Sequence, residues 1–288
     1  MTATNQGATA PMQVQSPQQV EATERVLDCI AFAQSQAWHT RVLLMVLALA
    51  TGAALGVFLE QATSSAFALP AILLPLAFCG GLLSTWSPCG YSSLSLLRPQ
   101  GAYSLRSVGA WLPTIAMHAL GYLAGALILG SLLGGLGALI ASTSIFIPAT
   151  VALALLACCY GTHQFSFLRM PYPQRRAQVP HDARFRFRSW VIGLLYGFAL
   201  GTNYSTYVQT PILYIVTLAA ALSGDISFAI TVFCVFNAGR FLPMLINLFP
   251  VSDRKIQGWL ANYQELAVTV DGFLLIMAGA AALVVCLV

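Results

Sequence analysis

Charged residues are scarce in this chain: only 8% of its 288 residues are Asp, Glu, Lys or Arg, whereas 58% are hydrophobic. A water-soluble domain of this length has no core large enough to bury so much apolar surface. The mean hydropathy of +0.78 therefore indicates a protein whose main solvent is lipid. This composition argues against a soluble enzyme.

Familiar thiol and metal motifs are also missing. The seven cysteines include no Cys-x-x-Cys pair, and Cys and His never fall at the spacing of a zinc site. The sequence also lacks the cluster of carboxylates or histidines that a divalent ion needs. No metal site and no other cofactor is predicted from these residues. No cleavable secretory signal precedes the first apolar run, so we expect that run to be an uncleaved anchor.

What the chain does have is a series of long apolar runs, each sufficient for the roughly 20 helical residues that cross a bilayer. We predict an all-α polytopic membrane protein with seven transmembrane helices. Gly and Pro inside several runs indicate tilted or broken helices. The predicted spans are residues 41–60, 67–97, 108–141, 145–168, 189–221, 226–249 and 263–288.

Arginine and lysine lie mainly before the first span and in alternate gaps between the spans. Basic residues at the inner face are the usual determinant of membrane topology. We therefore predict a bacterial inner-membrane protein with a cytoplasmic N-terminus and a periplasmic C-terminus. The arginines are interpreted as topology and lipid-headgroup residues, not as a surface for nucleic acid.

Two stretches of the chain repeat one another. A glycine-rich stretch in the second predicted span aligns with one in the fifth, so that Gly81 falls on Gly197 and Cys89 falls on Ser205. A second match joins residues 118–122 in the third span to the stretch that begins at residue 236 in the sixth.

The second copy begins three spans after the first, so the two copies enter the membrane from opposite sides. Such an inverted repeat places broken helices near the bilayer midplane. We predict breaks at Pro88 and Pro211, because proline removes a backbone donor and clashes with the preceding turn.

This topology divides the chain into five parts. Residues 1–40 are predicted as a cytoplasmic tail with a short amphipathic helix, and residues 41–60 as an additional transmembrane anchor. Residues 67–168 form the first three-helix repeat, residues 169–188 a basic cytoplasmic loop, and residues 189–288 the second three-helix repeat.

Two charged residues fall well inside predicted spans. Arg240 and Asp271 each lie about ten residues from the cytoplasmic end of their spans, at similar depth. An unpaired charge there is costly, so we predict that they form an intramembrane ion pair. A proton or substrate path is the alternative. His118 is either a proton relay or a hydrogen-bonded structural residue.

A polar run inside the fifth span cannot be hidden from lipid by one helix turn. We expect it to line a cavity, a partner helix or a buried ligand. The candidate lining residues are Trp86, Pro88, His118, Asn203, Tyr204, Thr206, Tyr207, Gln209 and Pro211.

Cys89 is the candidate catalytic thiol, because a proline-broken stretch at the centre of the repeat favours thiol chemistry. A structural role for it stays open. Cys158, Cys159, Cys234 and Cys286 lie in apolar spans, where a thiol usually packs as a small hydrophobe.

Residues 67–288 resemble the CcdA/DsbD transmembrane family, with its LysE-like inverted repeat. The resemblance is carried by Ser-Pro-Cys at 87–89, the basic loop, Pro211-Ile-Leu, the stretch 237–243, and Asp271-Gly with Gly279. It implies a core of two inverted three-helix halves that moves reducing equivalents from cytoplasmic thioredoxin to periplasmic thiol proteins through one cysteine in each half. Here Ser205 occupies the second cysteine position, so a two-cysteine relay cannot run through this pair.

The chain is most similar to the branch of this family that serves methylamine utilisation. This resemblance implies an accessory role in maturing periplasmic methylamine dehydrogenase, through disulfide formation, tryptophan tryptophylquinone formation or both. The implied partners are a MauE-like membrane protein, a MauD-like thioredoxin protein and the small subunit of the dehydrogenase. The alternatives are a CcdA-like thiol electron conduit and a transporter of a small solute or metal. Whether the chain itself is an enzyme is left open.

Overall fold

The computed structural model describes residues 36–62, 65–87, 90, 93–95, 97–99, 101–140, 143–171 and 186–287. Pro88, Cys89, most of the basic loop and nearly all of the predicted amphipathic helix lie outside these residues. The described chain is all-helical, as predicted. Its α-helices are α1 (Trp38–Ala62), α2 (Ser65–Leu83), α3 (Leu105–Ile140), α4 (Thr143–Gln164), α5 (Ser189–Gly201), α6 (Ile212–Leu222), α7 (Ile226–Phe241), α8 (Asp253–Asn262) and α9 (Gln264–Leu287).

Six helical segments of the described chain are long and apolar enough to cross a membrane, and they match six of the predicted spans. The exception is the fifth predicted span, which consists of the two shorter apolar helices α5 and α6. The second span ends earlier than predicted, because α2 passes into a short 3-10 helix that stops at Trp86. The 36-residue helix α3 is longer than one perpendicular crossing needs.

Helix α8 is a short helix that the sequence analysis did not predict. Its exposed faces carry Arg254 and Lys255, whereas Ile256 and Leu260 are buried one turn apart. These two side chains pack with Trp111, at the start of α3, and with a cluster at the same end of the protein. Helix α8 is therefore amphipathic. Its apolar face packs near the start of α3, close to segments that are predicted to be cytoplasmic.

Helix α2 packs on α7, and α5 packs on α3, at glycine contacts that leave no room for a side chain. A methyl group at Gly81 would overlap the carbonyl oxygen of Phe236, and one at Gly197 would overlap that of His118. In the sequence repeat Gly81 is equivalent to Gly197, and Phe236 to His118. The two contacts are thus equivalent.

A second pair of glycine contacts is also made by positions that are aligned in the sequence repeat. Gly239 on α7 lies against the carbonyl oxygen of Phe78, and Gly121 on α3 lies against that of Leu194. Gly239 and Gly121 are aligned in the repeat, and so are Phe78 and Leu194. Four close backbone approaches therefore fall at positions that the predicted sequence repeat aligns in pairs.

Helix α1 lies outside this arrangement and packs mainly on α9. Gly52 approaches the carbonyl oxygen of Met277, and Gly56 approaches that of Ala281. These contacts fit the interpretation of the first span as an addition to the core.

At the start of α7 the chain is fixed by an N-cap. The Asp225 carboxylate accepts hydrogen bonds from the backbone N–H groups of Ser227, at 2.8 Å, and Phe228, at 3.3 Å. The Ser227 hydroxyl also donates to it, and these bonds hold the pKa of Asp225 below its ordinary value.

Candidate functional site

The polar centre of the protein is the non-helical segment that separates α5 from α6, which we call the break (residues 202–211). Asn203 at its start adopts a left-handed backbone conformation, with φ of 59°, that asparagine tolerates better than most residues. Thr206, Val208 and Thr210 are then buried at alternate positions of the non-helical stretch that follows. Helix α6 begins directly after Pro211, where the sequence analysis placed the break.

Arg240 on α7 binds the α5 side of the break and is only 4% exposed. Its Nη1 atom donates to the Leu200 carbonyl oxygen at 2.9 Å and to Asn203 Oδ1 at 3.0 Å, and its Nη2 atom donates to Thr206 Oγ1 at 3.3 Å. The last carbonyls of a helix lack intrahelical donors and carry partial negative charge. The guanidinium group is therefore held by the C-terminal end of α5 and by the break itself.

Two buried asparagines extend this network to α3. Asn203 Nδ2 donates to Asn237 Oδ1 at 3.0 Å, and Asn237 Nδ2 donates to the carbonyl oxygens of Tyr122, at 3.0 Å, and Gly201, at 2.9 Å. Hydrogen bonds between buried groups in an apolar interior restrict their positions, because a displaced group loses its partner. One atom of this network, Arg240 Nε, has no hydrogen-bond partner in the described chain. The network locks α3, α5 and α7 around the first half of the break.

Asp271 on α9 binds the opposite end of the break and is 2% exposed. One carboxylate oxygen accepts a hydrogen bond from the Thr210 hydroxyl, and the other accepts one from the Gln164 side-chain amide at the end of α4. Both partners are neutral. Asp271 has no cationic partner among the described residues.

The predicted ion pair between Arg240 and Asp271 is therefore absent from the described chain. The arginine is directed to the C-terminal end of α5, and the aspartate to the start of α6 and the end of α4. Depth in the membrane was predicted from the sequence, but the direction in which each side chain leaves its helix was not. The two charges are connected only indirectly, through the break.

His118 on α3 is fully buried. Its Nδ1 atom lies 3.0 Å from the carbonyl oxygen of Gly193, to which a protonated Nδ1 donates, and its ring packs edge-on against Tyr122 at 4.9 Å. These contacts match the structural alternative for His118, which joins α3 to α5. Its Nε2 atom has no partner within the described chain.

A small polar cavity, with a volume of about 10 Å³, adjoins Asp271 and contains two of the predicted lining residues, Trp86 and Gln209. Trp86 also packs on Trp259 of α8, with ring centroids 5.5 Å apart. The cavity lies at the junction of α2, α4, α9 and the break. Its lining residues are Leu83, Trp86, Gln164, Gln209, Thr210, Ala267, Val268 and Asp271.

The predicted lining residues that the structure describes do not share one cavity. Asn203 and Thr206 belong to the Arg240 network, and His118 packs between α3 and α5. Tyr204 is 37% exposed, and its hydroxyl donates to Thr217 Oγ1 at 2.6 Å. The residues divide because they lie on different elements, with His118 on α3 and the others at different points of the break.

Tyr207 and Ser205 also lie away from the small cavity. Tyr207 packs against a buried cluster that contains Tyr122 and Leu200. The exposed hydroxyl of Ser205 lies 2.7 Å from Thr202 Oγ1. The predicted partner position of Cys89 therefore carries a hydrogen-bonded hydroxyl at the outer side of the break.

The described cysteines are all free thiols. They are partly buried in the helices, in keeping with the packing role that the sequence predicted for four of them. The described cysteines are Cys79, Cys158, Cys159, Cys234 and Cys286.

A second, much larger cavity of about 660 Å³ lies between α2, α4, α6 and α9. Its walls are mainly apolar, with Thr150, Ser223 and Asp225 as polar members. None of the predicted site residues lines it.

Gln164, Thr210 and Asn237 complete the polar centre, although the sequence analysis did not include them among the site residues. Each is a polar residue within an apolar run or at its end, and a polar residue in such a place is the signal that could have identified them. A polar side chain inside a span needs a partner from another helix.

Six long apolar helices and a broken helix with a buried polar centre define an α-helical polytopic membrane protein. No protein-family model and no solved structure matches the chain. Curated relatives do match it over nearly its whole length, and on that basis the chain belongs to the family of methylamine utilization protein MauF.

The relatives come from several bacteria. The protein named MauF from Methylophilus methylotrophus is 55% identical, over 97% of this chain and 97% of the relative. The one from Methylobacillus flagellatus is 57% identical over 90% of this chain and 91% of the relative. The one from Paracoccus denitrificans is 52% identical over 91% of this chain and 94% of the relative.

Proposed function

We propose that this chain is an inner-membrane accessory protein for the maturation of periplasmic methylamine dehydrogenase. The observation that carries the proposal is its identity of 52–57% to relatives named for methylamine utilization. Maturation here means formation of the disulfides of the small subunit, of its tryptophan tryptophylquinone, or of both.

The proposed architecture is a seven-span protein whose core is an inverted repeat of the CcdA/DsbD type. The seventh span results when α5, the break and α6 together cross the membrane once. The matched glycine contacts support the repeat, since Gly81 and Gly239 in the α2–α7 contact align with Gly197 and Gly121 in the α5–α3 contact. The arginine distribution supports a cytoplasmic N-terminus and a periplasmic C-terminus.

In this proposal the chain does not relay electrons by itself. Ser205 takes the place of the second cysteine, and a hydroxyl cannot form the disulfide that such a relay requires. Cys89 is the one candidate thiol, and its thiol partner must come from another molecule. A MauD-like thioredoxin protein and a MauE-like membrane protein are the proposed sources, with the small subunit of the dehydrogenase as client.

Gene deletion in the native host tests this proposal. The deletion strain should contain methylamine dehydrogenase that lacks its quinone absorbance, while other periplasmic disulfide proteins remain oxidised. Complementation with wild type should restore mature enzyme, and Cys89→Ser should fail if thiol chemistry is required. Cys234→Ser is the matched control, because it removes a half-buried thiol from another span. Normal mature enzyme in the deletion strain, or a general defect in cytochrome c, would reject the proposed role.

A transporter of a small solute or metal is the second candidate. A discontinuous helix with a buried polar centre is common in secondary transporters, and Asp271 lacks a counter-charge in the described chain. The same deletion strain separates the two candidates. Loss of a transporter should leave the dehydrogenase mature and should be relieved by more external solute, whereas loss of a maturation factor should leave immature enzyme at every methylamine concentration.

A further inference from the structure

The small polar cavity beside Asp271 has features that neither the family nor the break explains. The carboxyl group is buried at membrane depth, and its two hydrogen-bond donors, Thr210 and Gln164, are neutral. An uncompensated carboxylate in such a place is costly even by the mildest scales, roughly 2.5–3.5 kcal/mol. A proton or another cation is therefore needed to neutralise this carboxylate.

The other charged and titratable groups around Asp271 are engaged elsewhere. Arg240 binds the far end of the break. Arg41 on α1 donates to the carbonyl oxygen of Phe165. His163 on α4 accepts from the backbone of a following residue, and Glu265, on the same helix as Asp271, accepts from the backbone of residue 36. None of them donates to the Asp271 carboxyl group.

The cavity itself points to water. Its volume of about 10 Å³ is close to the space that one water molecule occupies. The indole N–H of Trp86, which lines the cavity, is buried and has no acceptor in the described chain. A water oxygen would accept this N–H group and donate to the carboxylate.

We propose that Asp271 is a proton-binding site that exchanges its proton with the cytoplasm through a water molecule held in this cavity. The cavity water gives one proton to a carboxylate oxygen of Asp271, forming an O–H bond, and regains a proton from cytoplasmic water. Release of the proton reverses both steps. The inference does not depend on the proposed role in dehydrogenase maturation.

A path toward the helix ends is visible in the contacts. Gln209, in the cavity wall, accepts a hydrogen bond at 3.5 Å from Gln264, the first residue of α9. Trp86 packs on Trp259, which is 45% exposed on α8. Both neighbours lie at the end of the protein that the arginines assign to the cytoplasm.

The hydrogen bonds around Asp271 suit both protonation states. The ionised carboxylate accepts from Thr210 and Gln164. The neutral acid still accepts from Thr210 on one oxygen, and its O–H group donates to the amide oxygen of Gln164 once that amide has turned over. The Thr210 hydroxyl also accepts the N–H of Ile212, at 3.2 Å, so the charge on Asp271 acts directly on the start of α6.

Infrared difference spectroscopy of the purified full-length protein in lipid nanodiscs tests the proposal. Wild type should show a buried carboxylic acid C=O band that changes with pH and shifts when H₂O is replaced by D₂O. The band should be lost in Asp271→Asn and kept in Asp225→Asn, the matched change at an exposed aspartate. Thr210→Val should shift the frequency of the band, because it removes one hydrogen bond to the carboxyl group. This variant identifies the band as that of Asp271 if Asp271→Asn does not fold.

Two further measurements complete the test. Trp86→Phe should keep the band but slow its deuterium shift several-fold, because the cavity water loses its N–H donor. The band should be the same in NaCl and in choline chloride. A band that disappears with Na⁺ would mean that a metal ion neutralises Asp271, and a band that never exchanges would mean a sealed acid. Either result, or no band from Asp271 at any pH at which the protein is folded, overturns the proposal.

Discussion

Alanine at Gly81 or Gly197 should force the two halves of the protein apart. In both cases the added methyl group would lie closer than 3.0 Å to a backbone carbonyl oxygen of the opposite half, a separation that real Cβ atoms essentially never show. The obstacle is backbone and not a flexible side chain, so the helices themselves must move. Overpacking of this kind costs about 1–3 kcal/mol.

The assay is thermal unfolding of the purified protein in a mild detergent. Gly135→Ala is the matched control, because this glycine lies on α3 with nothing within 4 Å of the added methyl group. The control should be neutral or more stable, by up to about 1 kcal/mol, since alanine favours the helix. Gly81→Ala and Gly197→Ala should lose stability by similar amounts if the two contacts are equivalent. If Gly81→Ala and Gly197→Ala unfold at the same temperature as Gly135→Ala, the close contacts are refuted.

Three other predictions concern the polar centre and the topology. Arg240→Gln should lower the free energy of unfolding by about 1–3 kcal/mol for each acceptor left unsatisfied, whereas Ser205→Ala, an exposed change on the same break, should have little effect in the same thermal assay. The losses from Arg240→Gln and Asp271→Asn should add, because the two residues share no partner, and partial recovery in the double mutant would instead indicate an ion pair. Alkaline phosphatase should be active when fused after Val288 and inactive when fused within residues 174–186, and the reverse pattern would refute the orientation.

Much of the helical framework could be predicted from the sequence, because the length of an apolar run and the distribution of arginine report directly on the membrane. The fifth span shows the limit of that argument. Its polar run and Pro211 indicate a broken helix, but they do not show where the break begins or that Asn203 and Thr206 bond to Arg240 there. The exact length of such a break depends on tertiary partners on α7 and α9, which the local sequence does not report.

The intramembrane charges show a second limit. Their depth was predicted by counting residues along each helix, and Arg240 and Asp271 are both buried within the protein. Their partners could not be derived, because pairing depends on how the helices are rotated and on neutral groups such as Gln164. A backbone carbonyl at a helix end, such as that of Leu200, can also bind a buried arginine, and matching charged side chains with one another does not predict this.

The repeat gives the two halves equivalent backbone contacts but not equivalent chemistry. The position of Arg240 is occupied by Tyr122 in the first half, and the position of Cys89 is occupied by Ser205 in the second. The glycine contacts are therefore equivalent in the two halves, whereas Arg240 and Cys89 each have no equivalent in the other half. Electron transfer between two equivalent cysteines requires chemical symmetry at that position, and this chain lacks it. We therefore expect any disulfide that Cys89 forms in the proposed maturation reaction to be made with a second molecule, which is why the proposed role includes partner proteins.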